Sequence, residues 1–274
     1  MIAVELRKLV RRPRTWVSVG LLCLLPTVVA VFLAVTGIGP QPGEGPALLS
    51  AVLADGKLYP AAALGMVLPI FLPAAVAVVA GDAIAGESAG GTLRYLLVRP
   101  VGRTRLLVAK LVAVVAYTAL AVGAVALTGY VVGVLLLGRA DPTSSVVTTL
   151  TVSGTPLSAG QLAARTAVMI AYIGWSMLGV ASVSLFLSTL TDSSLGAALG
   201  GLAVLVGSTV LVGLDAAESV RTWLPTRYWL SWLDLFRDPI LWHDVQRGAL
   251  IQAVWIVVLL GAAWAAFSTR DVTS

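Results

Sequence analysis

The stretch TAVMIAYIGWSMLGVASVSLFLSTLTDSSLGAALGGLAVLVGSTVLVGL, residues 166–214, contains two long apolar runs separated by one charged residue, Asp192. A helix needs about 20 residues to cross the roughly 30 Å hydrocarbon core of a bilayer, and each run is long enough. Backbone N–H and C=O groups find no partners in lipid, so segments of this kind are helical. The stretch therefore predicts two consecutive membrane-spanning helices joined by a tight turn.

Four further apolar runs of similar length occur in the chain. Of the 274 residues, 58% are hydrophobic and 11% are charged, which is far from the composition of a soluble globular protein. The runs lack the alternating pattern of a membrane β-barrel. We therefore predict an all-α integral membrane protein, a single transmembrane domain over residues 1–274 with six spans. The predicted spans are approximately residues 16–36, 60–81, 108–137, 164–187, 194–214 and 248–268.

The positions of Lys and Arg predict the orientation, because basic residues near span ends stay in the cytoplasm. With both termini in the cytoplasm, eleven of the 18 Lys and Arg residues lie inside. The first two cytoplasmic segments carry most of this excess. Topology alone thus explains the net charge of +5, and we expect no nucleic-acid partner.

The first residues, MIAVELRKLVRRPRTW, predict a short amphipathic helix. Its apolar residues fall on one face, whereas Glu5, Lys8 and Arg12 fall on the other. Such a helix suits the cytoplasmic membrane surface. A basic flank that only fixes the orientation of the first span is the alternative.

The second span contains Pro69 and Pro73, which lack backbone donors and predict a kink. It ends in GDAIAGES, residues 81–88, which keeps the spacing of a phosphate-binding P-loop. A P-loop needs a preceding strand and a lysine that meets the phosphates. Here an apolar span precedes the motif and Glu87 replaces the lysine, so we expect no nucleotide site in this chain.

Other catalytic and metal chemistry is also not expected. The chain has one histidine, His243, and one cysteine, Cys23, far apart in sequence, whereas zinc sites use three or four such ligands. Proton-coupled transporters carry ionisable residues in mid-membrane, and the predicted spans place none there. We therefore predict no catalytic residue, no metal site and no self-powered proton antiport.

Two segments outside the spans are informative. Segment 82–105 is the most charged cytoplasmic stretch and predicts a short helix with a leucine face and a basic rim, ended by Pro100. Segment 215–247 is rich in tryptophan, which favours the membrane interface. It predicts an interfacial or re-entrant helix, with a plain aromatic belt and an outer gate as alternative roles. The helical spacing places these side chains on one face: Trp229, Trp232, Leu233 and Phe236.

Segment 82–105 carries the pattern E-x-x-x-G-T-L-x-x-L-L-x-x-P-x-x-R, from Glu87 to Arg103, with Lys110 beyond it. With this pattern the chain resembles the permease subunits of bacterial ATP-binding-cassette type-2 exporters. ELRKLVRRPRTW, residues 5–16, is similar to the N-terminal connecting helix of that family, and residues 185–200 to its turn before the fifth span. The resemblance is to the compact six-span members.

The resemblance implies a coupling helix after the second span that sits in a groove of a separate ATPase subunit. The residues that it assigns to coupling are Glu87, Thr92, Leu93, Arg94, Leu96, Leu97, Arg99, Pro100 and Arg103. Capping of a helix N-terminus is the structural alternative for Glu87. The implied partners are two ATP-binding-cassette subunits, a second permease copy or related permease, and membrane lipid. ATP and Mg would be bound by the partner, with no cofactor in this chain.

The resulting prediction is a multi-pass permease of a bacterial inner (plasma) membrane that exports a lipophilic or amphipathic substrate. A passive channel or a membrane assembly factor without an ATPase is the alternative. An intramembrane enzyme is disfavoured, because the spans offer few catalytic side chains.

Overall fold

The computed structural model describes residues 1–36, 56–90, 102–137, 149–151, 153 and 155–269. Its helices are α1 (Ile2–Arg11), α2 (Pro13–Thr36), α3 (Tyr59–Val67), α4 (Phe71–Ala89), α5 (Arg103–Val132), α6 (Ala159–Leu190), α7 (Ser194–Gly213), α8 (Glu218–Arg221) and α9 (Trp242–Thr269). Short 3-10 helices cover Gly56–Leu58, Asp215–Ala217 and Ser231–Phe236, and a π-helical turn, Gly133–Leu137, continues α5. Strands β1 (Thr149–Leu150) and β2 (Pro156–Leu157) form a two-residue antiparallel pair.

Six helices of the described residues are long and apolar enough to span a membrane, and they confirm the predicted all-α class. They are α2, α4, α5 with its π-helical turn, α6, α7 and α9. Helices α4 and α6 are the most enclosed of the six. Helix α4 packs against α5, α6 and α7, so it lies near the middle of the bundle.

The predicted second span is interrupted rather than kinked. Helix α3 ends at Val67 and α4 begins at Phe71, with a turn between them. Pro69 has no N–H to continue the first helix, which explains the interruption. Pro73 lies in the first turn of α4, where backbone N–H groups have no helical partner, so it is tolerated there. Helix α4 then continues to Ala89, beyond the predicted end of the span.

The spans divide the molecule into two ends. At the α1 end, defined by α1, the end of α4 and the start of α5, Arg103 donates to the carbonyl of Ser268 at 2.7 Å, which places the last turn of α9 there. At the opposite end, Arg165 donates to the carbonyl of Arg237 at 3.0 Å, and the backbone N–H of Asp238 donates to Ser153 Oγ at 3.1 Å. Helix α1 and the C-terminal end of α9 therefore lie at the same end of the bundle.

Candidate functional site

Four charged side chains from three helices meet at the α1 end, and we name them the buried charge cluster: Glu5, Lys8, Glu87 and Lys110. Lys110 Nζ lies 2.9 Å from Glu5 Oε2 and also donates to Glu87 Oε1. Lys8 Nζ lies 2.8 Å from Glu5 Oε1 and 3.3 Å from Glu87 Oε1. Each lysine therefore contacts both carboxylates. Lys110 connects α5 to α1 and α4, and Lys8 connects α1 to α4.

Local helical geometry places these side chains. Glu5 and Lys8 are three residues apart on α1, so they lie on the same face. Glu87 is in the last turn of α4, where the helix dipole disfavours a negative charge. The two lysines offset that penalty. The carboxylate of Glu87 contacts Lys8 and Lys110, whereas the helix that it would cap in the structural alternative lies outside the described residues.

The cluster is enclosed and balanced in charge. Glu5, Glu87 and Lys110 are 8%, 7% and 4% exposed. Two carboxylates against two ammonium groups give no net charge, which is the condition under which buried ions are tolerated. Removal of one partner from such a cluster leaves an uncompensated buried charge and costs about 3–5 kcal/mol. The cluster therefore holds α1 against the ends of α4 and α5.

The pKa values of the α1 residues reflect this pairing. Burial raises the pKa of the Glu5 carboxyl, but hydrogen bonds from Lys8 and Lys110 and their positive charges outweigh it, so the net shift is downward. Burial lowers the pKa of Lys8, but the hydrogen bond to Glu5 and the charges of Glu87 and Glu5 outweigh it, so the net shift is upward. Both groups are held in their charged forms at neutral pH.

Ser188 of α6 attaches to the backbone of α4 just before the cluster. Its hydroxyl donates to the carbonyl of Gly81 at 2.7 Å. The same oxygen accepts from the backbone N–H groups of Ile84 at 3.1 Å and Ala85 at 2.9 Å. A Cβ on Gly81 would lie 2.8 Å from the backbone nitrogen of Ala198, so α7 packs directly on α4 at this level. The end of α4 is thus fixed by α6 and α7 as well.

Arg103, the first residue of α5, has a different set of partners. Its Nη1 donates to the carbonyl of Phe267 at 3.3 Å and to that of Ser268 at 2.7 Å. These carbonyls belong to the last turn of α9, where a guanidinium is favourable because of the helix dipole. Segment 91–101 is therefore flanked by two attachments, the cluster before it and the Arg103 contact after it.

Most residues assigned to coupling lie outside the described residues. These are Thr92, Leu93, Arg94, Leu96, Leu97, Arg99 and Pro100. Of the assigned residues, the structure describes Glu87 and Arg103, which it places in separate contacts. Residues 81–88 are helical within α4 and do not form the loop that a P-loop requires.

A groove of about 950 Å³ opens beside the cluster, and we name it the charged groove. Helices α1 and α2 form one side and α7 the other, with α4 and α5 behind. The four cluster residues are part of its lining. We name Arg12, Arg14 and Asp82, which are at least partly exposed, the mouth of the groove, and other walls are apolar, including Val78 and Leu195. Among the described residues, no group of three or more His, Cys, Asp or Glu side chains could hold a metal ion.

Two tryptophans and a phenylalanine at the opposite end are buried in protein, whereas Trp223 is exposed. We name residues 215–241 the aromatic segment. Trp229, Trp232 and Phe236 are 7%, 1% and 2% exposed, and Trp232 approaches Gly65 of α3. Leu233 is only half-buried, whereas Leu235 is buried. The predicted α-helical spacing is wrong here, since residues 231–236 form a 3-10 helix with three residues per turn. The predicted segment extended to residue 247, but residues 242–247 form the start of α9.

Sequence reasoning found the charged residues of the α1 end but missed their pairing. It placed Glu5 and Lys8 on the polar face of α1, and that face turns toward α4 and α5, with Ile2 and Val10 exposed. Lys110 was the available signal, because it lies inside predicted span 108–137. A lysine at the end of an apolar run implies a partner.

Comparison with protein families identifies the family of this chain. A family model described as ABC-2 family transporter protein matches residues 1–198. The match covers the buried charge cluster and the residues that line the charged groove, and it ends within α7. No match to a curated protein is found. The chain therefore belongs to the ABC-2 family of transporter proteins, as a multi-pass membrane permease subunit.

Proposed function

We propose that this chain is the permease subunit of an ATP-driven exporter, powered by ATP and Mg bound to a separate ATP-binding subunit. Two such subunits would act on two permease chains, the second being another copy or a related permease. The α1 end would face the cytoplasm of a bacterium, in its inner membrane. The family match over residues 1–198 is the observation that carries the proposal, because this permease family implies ATP-binding partners.

The described contacts support a coupling role for the α1 end. Segment 91–101 follows Glu87 and precedes Arg103, and both flanking residues are attached to other helices. A push on this segment would act through Glu87 on α1 and α5, and through Arg103 on α9. Because α4 packs against α5, α6 and α7, its displacement would be felt through most of the bundle.

The cargo is proposed from the walls of the spans. Exposed faces of α2, α7 and α9 are apolar, and these are the surfaces that a second permease chain and a cargo would meet. Such walls suit a lipophilic or amphipathic substrate. In the same proposal, the buried Trp229 and Trp232 serve as an outer gate or as an aromatic belt that holds the last span in place, and their replacement by Ala distinguishes the two. A gate predicts altered transport with intact assembly, whereas an aromatic belt predicts that the protein fails to accumulate.

The first experiment is to purify the tagged chain gently from its native membrane and to identify the proteins that accompany it by mass spectrometry. Leu97→Asp, in the proposed coupling helix, would place a charge in the apolar contact with the ATPase. Leu214→Asp is the matched control, because Leu214 is exposed and lies at the opposite end. We expect an ATP-binding-cassette subunit with the wild type and the control, and its loss with Leu97→Asp.

A passive channel or an assembly factor makes the opposite prediction. In that case no ATPase accompanies the wild-type chain, and Leu97→Asp leaves activity unchanged. Such a result, obtained under conditions that preserve a known transporter complex, would reject the proposed function.

A further inference from the structure

The charged groove has exposed apolar residues on one side. Val78 of α4 and Leu195 of α7 are 53% and 65% exposed, so the groove is not closed by protein on that side. Ala74, another wall residue, is eight positions before Asp82 on α4, which corresponds to about 12 Å along the helix. The groove thus extends from a charged mouth well into the apolar zone of the bundle.

The mouth of the groove has an excess of positive charge. Arg12 and Arg14 share a single carboxylate, with their Nη1 atoms 3.3 Å and 3.9 Å from Asp82 Oδ2. The longer distance is beyond hydrogen-bond range. Among the described residues, the other charged groups that line the groove belong to the buried charge cluster, which has no net charge. A guanidinium carries five N–H donors, so the two arginines have donors available for an anion.

We propose that the charged groove binds an anionic phospholipid, with its phosphate on Arg12 and Arg14 and its acyl chains along Val78 and Ala74 of α4. Basic pockets between spanning helices suit anionic head groups, and an arginine pair favours phosphate through charge-assisted hydrogen bonds. The apolar wall of α4 between the mouth and Ala74 is long enough for the part of an acyl chain nearest the head group. The phosphate contacts and the acyl-chain contacts both involve described residues.

A spanning helix of a second copy is a poorer occupant. Helices α2 and α7, which flank the groove, contain no acidic residue. Docking of either helix would bring no anion to the arginines at the mouth. It would also cover these arginines with apolar side chains, which is costly for an incompletely paired charge.

The test is native mass spectrometry of the purified full chain in mild detergent, titrated with phosphatidylglycerol or with phosphatidylcholine. Arg12→Gln with Arg14→Gln removes the mouth charges. Arg7→Gln with Arg11→Gln is the matched control, because both residues are exposed on α1 and do not line the groove. A third variant, Val78→Trp, fills the apolar wall, and a fourth, Asp82→Asn, removes the competing carboxylate.

We expect wild type and control to bind phosphatidylglycerol with similar affinity and in preference to phosphatidylcholine. The Arg12 and Arg14 variant should bind it about tenfold or more weakly, Val78→Trp should also lose binding, and Asp82→Asn should bind more tightly. Equal losses in the control and the mouth variant would overturn the proposal, as would equal binding of the two lipids. A disulfide between two copies through Val78→Cys, in a Cys23→Ser background in bilayers, would show that a second copy fills the groove instead.

Discussion

The two ends of the helix bundle are held by different kinds of interaction. At the α1 end, Lys110 and Lys8 bridge the buried carboxylates of Glu5 and Glu87. At the opposite end, neutral side chains reach backbone carbonyls, as in the 2.7 Å bond from Gln252 Nε2 to Pro225 and the 2.7 Å bond from the Tyr172 hydroxyl to Tyr228.

This difference has energetic consequences. Breaking a buried ion pair costs about 3–5 kcal/mol, whereas a hydrogen bond between neutral groups contributes about 0.5–1.5 kcal/mol. Ion pairs also respond to pH, and neutral hydrogen bonds do not. One end therefore depends on a few charged residues, and the other on close packing around aromatic side chains. Variants that target each kind of interaction separately can test this contrast.

The largest effect is expected for Lys110→Met. Glu5 and Glu87 would then remain as two buried carboxylates that have lost a buried ammonium group, and the remaining Lys8 is partly exposed. We expect the free energy of unfolding in detergent to fall by about 3–5 kcal/mol. Arg105→Met is the matched control, because Arg105 is exposed on the same helix. Equal stability of Lys110→Met and the control would contradict the role of the cluster.

Gly248→Ala tests the packing at the opposite end. An added Cβ would collide with the Tyr172 hydroxyl and lie 2.6 Å from Tyr228 Cβ, so α9 could not approach the aromatic segment as closely. We expect a loss of about 1–3 kcal/mol in the free energy of unfolding. Gly261→Ala on the same helix has no neighbour within 4 Å and should be neutral. Equal stability of Gly248→Ala and Gly261→Ala would contradict the role of close packing at this end.

The smallest effect is a pH dependence confined to the α1 end. The lowered pKa of Glu5 stabilises α1 docking above its ordinary value of 4.5, and this contribution is lost as pH falls through the folded pKa. The raised pKa of Lys8 stabilises docking below its ordinary value of 10.5 and is lost as pH rises through the folded pKa. The docking of α1 should therefore not change between pH 4.5 and pH 10.5.

Spin-label mobility at Ile2→Cys, in a Cys23→Ser background, measures this docking, because Ile2 is exposed on α1. Mobility should rise at the acid and alkaline limits, and Glu5→Gln should remove the acid limb. A steady change across neutral pH would be inconsistent with these pKa shifts.

The sequence predicted the all-α class and six spanning helices, because an apolar run of 20 residues has one stable conformation in lipid, but it did not predict that the second span is interrupted near Pro69. It did not predict the partner of Lys110, which depends on how α1 folds back onto α4 and α5. Its α-helical spacing failed in the aromatic segment, where Leu235 is buried instead of Leu233. A 3-10 helix has three residues per turn, and this one has only six residues. Its sequence is therefore too short to distinguish a 3-10 period from an α-helical period.

The most direct test of the coupling proposal compares ATPase stimulation in the assembled complex for Glu87→Gln and Asp234→Asn. Both changes remove a carboxylate from an ion pair, since Asp234 lies 3.0 Å from Arg237 at the opposite end. With the amount of assembled complex matched, we expect Glu87→Gln to reduce stimulation by about fivefold or more and Asp234→Asn to preserve it. Full stimulation with Glu87→Gln, or equal losses in both variants, would contradict a coupling role for the buried charge cluster.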